Sequence, residues 1–150
     1  GPLQRGLRLD ADIASYRLTV CNPAAMLDQL KTDGTVQRDR FDKVVAARVR
    51  HLRARGARVR AYGEMVDLLA AEGDFANVVR LEALWNELLL TDPIDLLCGY
   101  SATHLGHSRN TEALALICDA HSHLRFSPHD KLGSHLLQID ADDTSSGTTH

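Results

Sequence analysis

Aromatic residues are scarce in this chain: three Tyr, three Phe and one Trp make up 5% of 150 residues. A core with so few rings must rest on Leu, Val and Ala. Cysteine is as sparse. Cys21, Cys98 and Cys118 are too few and too scattered for a disulfide framework, and their odd number leaves at least one thiol, so the expected compartment is a reducing cytoplasm. No apolar run approaches the roughly 18 residues that span a bilayer, and no secretory leader is read at the start, so no membrane is expected. A phosphate-binding loop is missing too, since Lys131-Leu132-Gly133 runs in the wrong order. That argues against ATP hydrolysis, and no cofactor is expected. Nor is there a strong excess of either charge. The 17 basic and 20 acidic residues give a net charge of −3, which supplies no global attraction to nucleic acid or anionic lipid.

What is present is ordinary for one globular domain: 44% hydrophobic and 25% charged residues, over a length that can bury a substantial core. Tyr16-Arg17-Leu18-Thr19-Val20 alternates and reads as a strand, stopped by Asn22-Pro23. Ala24 to Leu30 has helical spacing, with Asn22 placed to cap it and Pro23 suited to the first turn. Thr32-Asp33-Gly34-Thr35 is a turn. From Arg38 to Arg55 a stripe of Phe41, Val44, Val45, Val49 and Leu52 predicts a helix closed by Gly56. Arg58 to Tyr62 reads as a strand, and helical spacing resumes through Met65, Val66, Leu68 and Leu69 until Glu72-Gly73-Asp74 breaks it.

Val78 to Leu90 makes a further helix, with Val78, Leu81, Trp85, Leu88 and Leu89 on its buried side and Pro93 past its end. Ile94 to Tyr100 is a nearly continuous apolar run, which suits a strand buried on both faces. A last helix covers Thr111 to Ala120. Residues 129–150, acidic and then rich in Ser, Thr and Gly, are expected to form a flexible tail after a domain spanning 1–128. Strands that alternate with helices predict an α/β fold, a mostly parallel sheet flanked by helices.

Two segments carry a specific likeness. One is Val59-Arg60-Ala61-Tyr62-Gly63-Glu64-Met65-Val66 followed by Ala71-Glu72-Gly73; the other is Arg80 to Leu88 followed by Leu96-Leu97-Cys98-Gly99-Tyr100. In this order and spacing, together with Cys118-Asp119-Ala120-His121-Ser122-His123, the chain from about Gly6 to Phe126 resembles the MEDS (DcmR-like) sensory family. The resemblance implies a remnant of the RecA-like and KaiC-like fold that lacks the usual first strands. It also implies a sensor of small molecules, hydrocarbon-like ones among them, set in front of a signalling protein such as a histidine kinase module. A sheet edge left open by the absent strands would be covered by a homodimer. The alternatives are a degenerate nucleotide-binding ATPase relative and a dimerising scaffold.

Several residues invite chemistry. Glu64 stands just past a predicted strand, where ligands of open parallel sheets bind. Glu82 and Asn86 lie one helical turn apart beside Trp85. Both glutamates are expected to pair with arginines such as Arg60, since no nucleophile accompanies them. If they line a cleft, they orient a ligand. Tyr62, Trp85 and Tyr100 would then wall the pocket, although core packing is the favoured role. Cys118, His121 and His123 form half of a zinc pattern, and Cys98, His104 and His107 would have to supply the rest. The expected role of His121 and His123 is to close a helix, so no metal is assigned. Nine of the 17 basic residues fall between Arg38 and Arg60. Without interleaved aromatics, that stretch reads as a solvated helix face rather than a nucleic-acid surface.

Overall fold

Helix α1 (Pro23–Leu30) begins as its sequence dictates: the Asn22 side chain accepts a hydrogen bond from the Ala25 amide at 3.1 Å, and proline fills the first turn. The computed structural model describes residues 18–56, 58–105 and 111–123. After α1 the chain reverses through a hairpin of β1 (Lys31–Thr32) and β2 (Thr35–Val36). Asp33 and Gly34 at its tip have φ of 51° and 74°, the positive values a two-residue hairpin turn of matching twist demands. Three helical segments follow without a break: α2 (Arg38–Phe41), a π-helical turn (Asp42–Ala46) and α3 (Ala47–Ala54). The expected single helix is thus interrupted by a wider turn. Phe41, Val45, Ala46 and Val49 keep the buried stripe continuous through it.

Strand β3 (Arg60–Gly63) pairs in parallel with β4 (Asp95–Cys98), in the register Arg60 to Asp95 through Gly63 to Cys98. Between them run α4 (Met65–Ala71) and α5 (Phe75–Thr91), which pack on each other. Beyond β4 come α6 (Ala102–Leu105), which packs on α4, and α7 (Thr111–Ala120), which packs on α5. Helix α5 is the centre of the core. Val78 and Leu81 are fully buried, and Trp85 meets Phe41 edge to face, with ring centroids 5.4 Å apart at 87°.

Asn77 fastens the hairpin to the start of α5. Its amide nitrogen donates to the Gly34 carbonyl at 2.8 Å and to Asp74 Oδ2 at 2.6 Å, and its oxygen accepts from the Val36 amide at 3.0 Å. Replacing it by Leu strands a buried donor and acceptor, at roughly 1–3 kcal/mol for each unsatisfied group. Urea denaturation of Asn77→Leu should show a loss of about 2–4 kcal/mol, and an unchanged midpoint would mean the hairpin is held by other contacts.

Some expectations need correction. Leu18 to Val20 form no strand, and Tyr16 and Arg17 lie outside the described residues, as does the tail at 129–150. The Val78–Leu90 helix begins earlier, at Phe75, because Asp74 caps it by accepting from the Asn77 amide at 3.2 Å. The apolar run ending in Tyr100 is covered on one face only: Leu96 and Cys98 turn to the core, while Asp95 is exposed and Leu97 is 58% exposed. Helix and strand are mixed, as an α/β reading requires. Among the described residues, however, the sheets are one parallel pair and one antiparallel hairpin rather than a larger parallel sheet.

Many of the clustered arginines are engaged inside the chain. Arg50 and Arg53 reach Asp92 at 3.0 and 2.9 Å, Arg58 reaches Asp95 at 2.8 Å, and Arg38 Nη2 reaches Glu87 at 2.9 Å. The hydrogen bonds from Arg50, Arg58 and Arg38 hold the Asp92, Asp95 and Glu87 carboxyls below the usual carboxylate range. A depressed folded value means stability that is present above the unfolded carboxylate values, about pH 4, and lost as pH falls through the folded ones. Urea midpoints measured downward from about pH 6 should therefore drop on the acid side, and Asp92→Asn should make that drop shallower. The Arg38–Glu87 and Arg58–Asp95 pairs are solvent-exposed and the Asp92 pairs lie at the surface with Asp92 half-buried, so the effect is small and weakens with salt.

Candidate functional site at the carboxyl edge of the parallel strands

Parallel pairing brings the carboxyl ends of β3 and β4 to one edge, the place where open parallel sheets take ligands. The Tyr62 hydroxyl donates to Glu64 Oε1 at 2.8 Å. That phenol crosses Gly99 so closely that a Cβ there would stand 2.5 Å from its oxygen. A side chain at 99 would therefore push the exposed Tyr62 ring aside from its place over the strand edge.

Behind this edge, α5 presents Glu82, which is 3% exposed. The Tyr100 hydroxyl donates to its Oε1. His121 Nε2 lies 3.4 Å from the same oxygen, and Cys98 Sγ stands 3.9 Å from Oε2. Tyr100 and His121 meet edge to face at 6.4 Å. Nδ1 of His121 is 2.6 Å from the Ile117 carbonyl, so that nitrogen carries the proton and Nε2 is turned toward Glu82. On the α4 side, Asp67 Oδ1 accepts from the Ser101 amide at 2.8 Å and lies 2.8 Å from His104 Nδ1.

Burial pushes the Glu82 carboxyl up, against the pull of the Tyr100 hydrogen bond, His121 and Cys98. Burial, with Glu82 adding to it, pushes the Cys98 thiol up to about 12 and raises the Tyr100 hydroxyl well above the usual phenol range. At neutral pH, then, Cys98 and Tyr100 are neutral donors around an acid. Cys98 lacks the lowered pKa that makes a thiol a good nucleophile.

Glu64, Tyr62, Glu82 and Tyr100, all singled out in the sequence, therefore lie along this edge. The expected arginine partners are replaced by tyrosine hydroxyls, because Arg60 turns to Asp95 at 3.7 Å. Trp85 packs in the core on Phe41, and Asn86 donates to the Ala120 carbonyl at 3.0 Å, tying α5 to the end of α7. His121 closes its helix as expected and also reaches Glu82. Among the described residues, the weak metal candidate His121 falls in a group whose possible ligand atoms lie within 4.8 Å of one another, and its companions are Glu82 and Cys98 rather than Cys118 or His123. His104 turns to Asp67, and His107 lies outside the described residues. Asp67 and Ser101 went unnoticed in the sequence; the signal was an Asp one helical turn beyond Glu64, on the face that returns to the strand edge.

At the opposite, amino edge of the same strands lies a cleft of about 290 Å³ lined by Arg53, Arg58, Val59, Pro93, Ile94 and Asp95. Its two arginines already face Asp92 and Asp95. It shares no residue with the carboxyl-edge group.

The parallel pair brings these groups to one strand edge, and the chain falls in a class of sensory domains. It belongs to the MEDS family, the methanogen/methylotroph DcmR sensory domain, whose model matches residues 3–116. The match ends inside α7, so His121 lies beyond it. Comparison with curated proteins and with solved structures gives no match. No helix among the described residues is long and apolar enough to cross a membrane.

Proposed function

We propose that this domain is a non-catalytic sensory module that binds a small molecule at the carboxyl edge of β3 and β4. In this reading it passes the signal to a partner such as a histidine kinase module, in the cytoplasm and as a homodimer. The observation that carries the proposal is the buried acid Glu82, ringed by the neutral donors Tyr100 and Cys98 beside His121, at the edge where parallel strands take ligands. Asp67, His104 and the Tyr62–Glu64 pair supply further polar contacts at that edge. A few placed polar groups against apolar walls orient a small ligand. The signal requires two states with different ligand affinity.

The test is calorimetric titration with a panel of small alcohols, amines, carboxylates and halogenated hydrocarbons. At least one compound should bind, and Tyr100→Phe or Asp67→Asn should weaken it about tenfold or more, near 1.4 kcal/mol. Binding that ignores both substitutions would place the ligand elsewhere, and silence across the panel would count against the sensory reading.

A further inference from the structure

Glu82, Cys98 and His121 each offer one ligand atom, and these atoms all lie within 4.8 Å of one another. A tetrahedral zinc ion with bonds of about 2.0–2.3 Å holds its ligand atoms roughly 3.3–3.7 Å apart. His121 Nε2 at 3.4 Å from Glu82 Oε1 fits that spacing, while Cys98 Sγ stands 3.9 Å from the other oxygen, Oε2, so the carboxylate must turn and the sulfur close in for one oxygen to serve both.

The direction of the ring adds to this. Nδ1 of His121 donates to the Ile117 carbonyl at 2.6 Å, which turns Nε2 toward a Glu82 oxygen 3.4 Å away. Either a shared proton or a cation completes that pair. A histidine whose far nitrogen is held by a backbone carbonyl is also the usual arrangement of a metal-bound imidazole, because the carbonyl fixes the tautomer and the ring direction. Glu82 is buried, its side chain only 4% exposed, and among the described ion pairs its partner is His121 rather than an arginine or lysine. A buried carboxyl in that position is either protonated or matched by a positive charge. Tyr100, which donates to Glu82, would orient the carboxylate from outside the coordination sphere.

We propose that Glu82, Cys98 and His121 bind one zinc-like divalent cation through oxygen, sulfur and nitrogen. Three protein ligands leave the fourth tetrahedral position to water or an exogenous molecule, in contrast to a closed structural site. Binding releases the Cys98 thiol proton to solvent, and the thiolate forms the metal–sulfur bond. The inference shares an edge with the sensory reading, and the two fail separately. Metal binding is measured with no small molecule present, and small-molecule binding can persist without metal.

The experiment uses the full chain, stripped with chelator and titrated with cobalt(II), then displaced by zinc. One equivalent should bind with the near-ultraviolet thiolate-to-cobalt band and the visible intensity of a four-coordinate ion. Cys98→Ser should abolish the thiolate band, and His121→Gln should weaken binding by more than the 10–100-fold typical of losing an outer partner. Cys21→Ser should leave the band intact. Should Cys98→Ser fail to fold, zinc-edge X-ray absorption of the wild type decides, with one sulfur and the remaining ligands nitrogen or oxygen expected. The proposal is overturned by weak binding with no sulfur signature, which is how scattered surface histidines bind. It is equally overturned by a thiolate band that survives Cys98→Ser, or by two sulfurs at the zinc.

Discussion

Trp85→Ala should destabilise the domain by about 3–5 kcal/mol, a large part of a total stability that for domains of this kind runs about 5–15 kcal/mol. Trp85 is buried on α5 and meets Phe41 edge to face, so truncation removes both area and a ring contact at the place where α5 crosses α2. Each kcal/mol corresponds to a fall of about 2–4 °C in Tm at this chain length. Urea denaturation followed by circular dichroism reads the effect. A Trp85→Ala domain as stable as the wild type, yet weaker for a bound compound, would make Trp85 a wall of the ligand site instead of a core residue.

The second large effect separates two substitutions at one position. Glu82→Ala removes the acceptor of the buried Tyr100 hydroxyl and leaves a cavity beside His121, and should cost about 2–4 kcal/mol. Glu82→Gln behaves differently. Its carbonyl oxygen can still accept from Tyr100, and its amide can face His121 Nε2 as a donor in place of a protonated carboxyl. Without metal, Glu82→Gln should therefore stay within about 1 kcal/mol of the wild type while its cobalt binding is lost. Equal destabilisation by Gln and Ala would show that the ionised carboxylate itself holds the fold.

Local signals made most of the helices legible in the sequence. Asn22-Pro23 forecast the start of α1, and the Phe41–Val45–Val49 spacing forecast the long helical stretch. The π turn inside that stretch left no trace, because a stripe at four-residue steps suits either helix. Asp33-Gly34 was read only as a turn, although that dipeptide is a strong hairpin signal. The flanking strands are two residues each, too short for alternation to show. Leu97 misled for a different reason: hydrophobicity alone does not say which face of a strand is covered.

The site was legible in its parts and not in its pairing. Glu64, Glu82, Tyr62 and Tyr100 stood out by position. Which group faces which depends on the parallel register that sets Gly63 beside Cys98, and on how α7 packs against α5. Those are long-range facts. They turned the expected arginine pairs into tyrosine hydrogen bonds and moved the metal candidates from a local Cys-x-x-His to residues on three separate elements.

In the proposed sensory function a small molecule is held at the carboxyl edge beside Glu82 and Tyr100. Native mass spectrometry of the full chain as purified, in parallel with Tyr100→Phe and Glu82→Gln, tests it most directly. The expected result is a non-covalent small-molecule adduct on the wild type that both substitutions deplete. A bare wild-type chain, or an adduct carried equally by all three proteins, would contradict it.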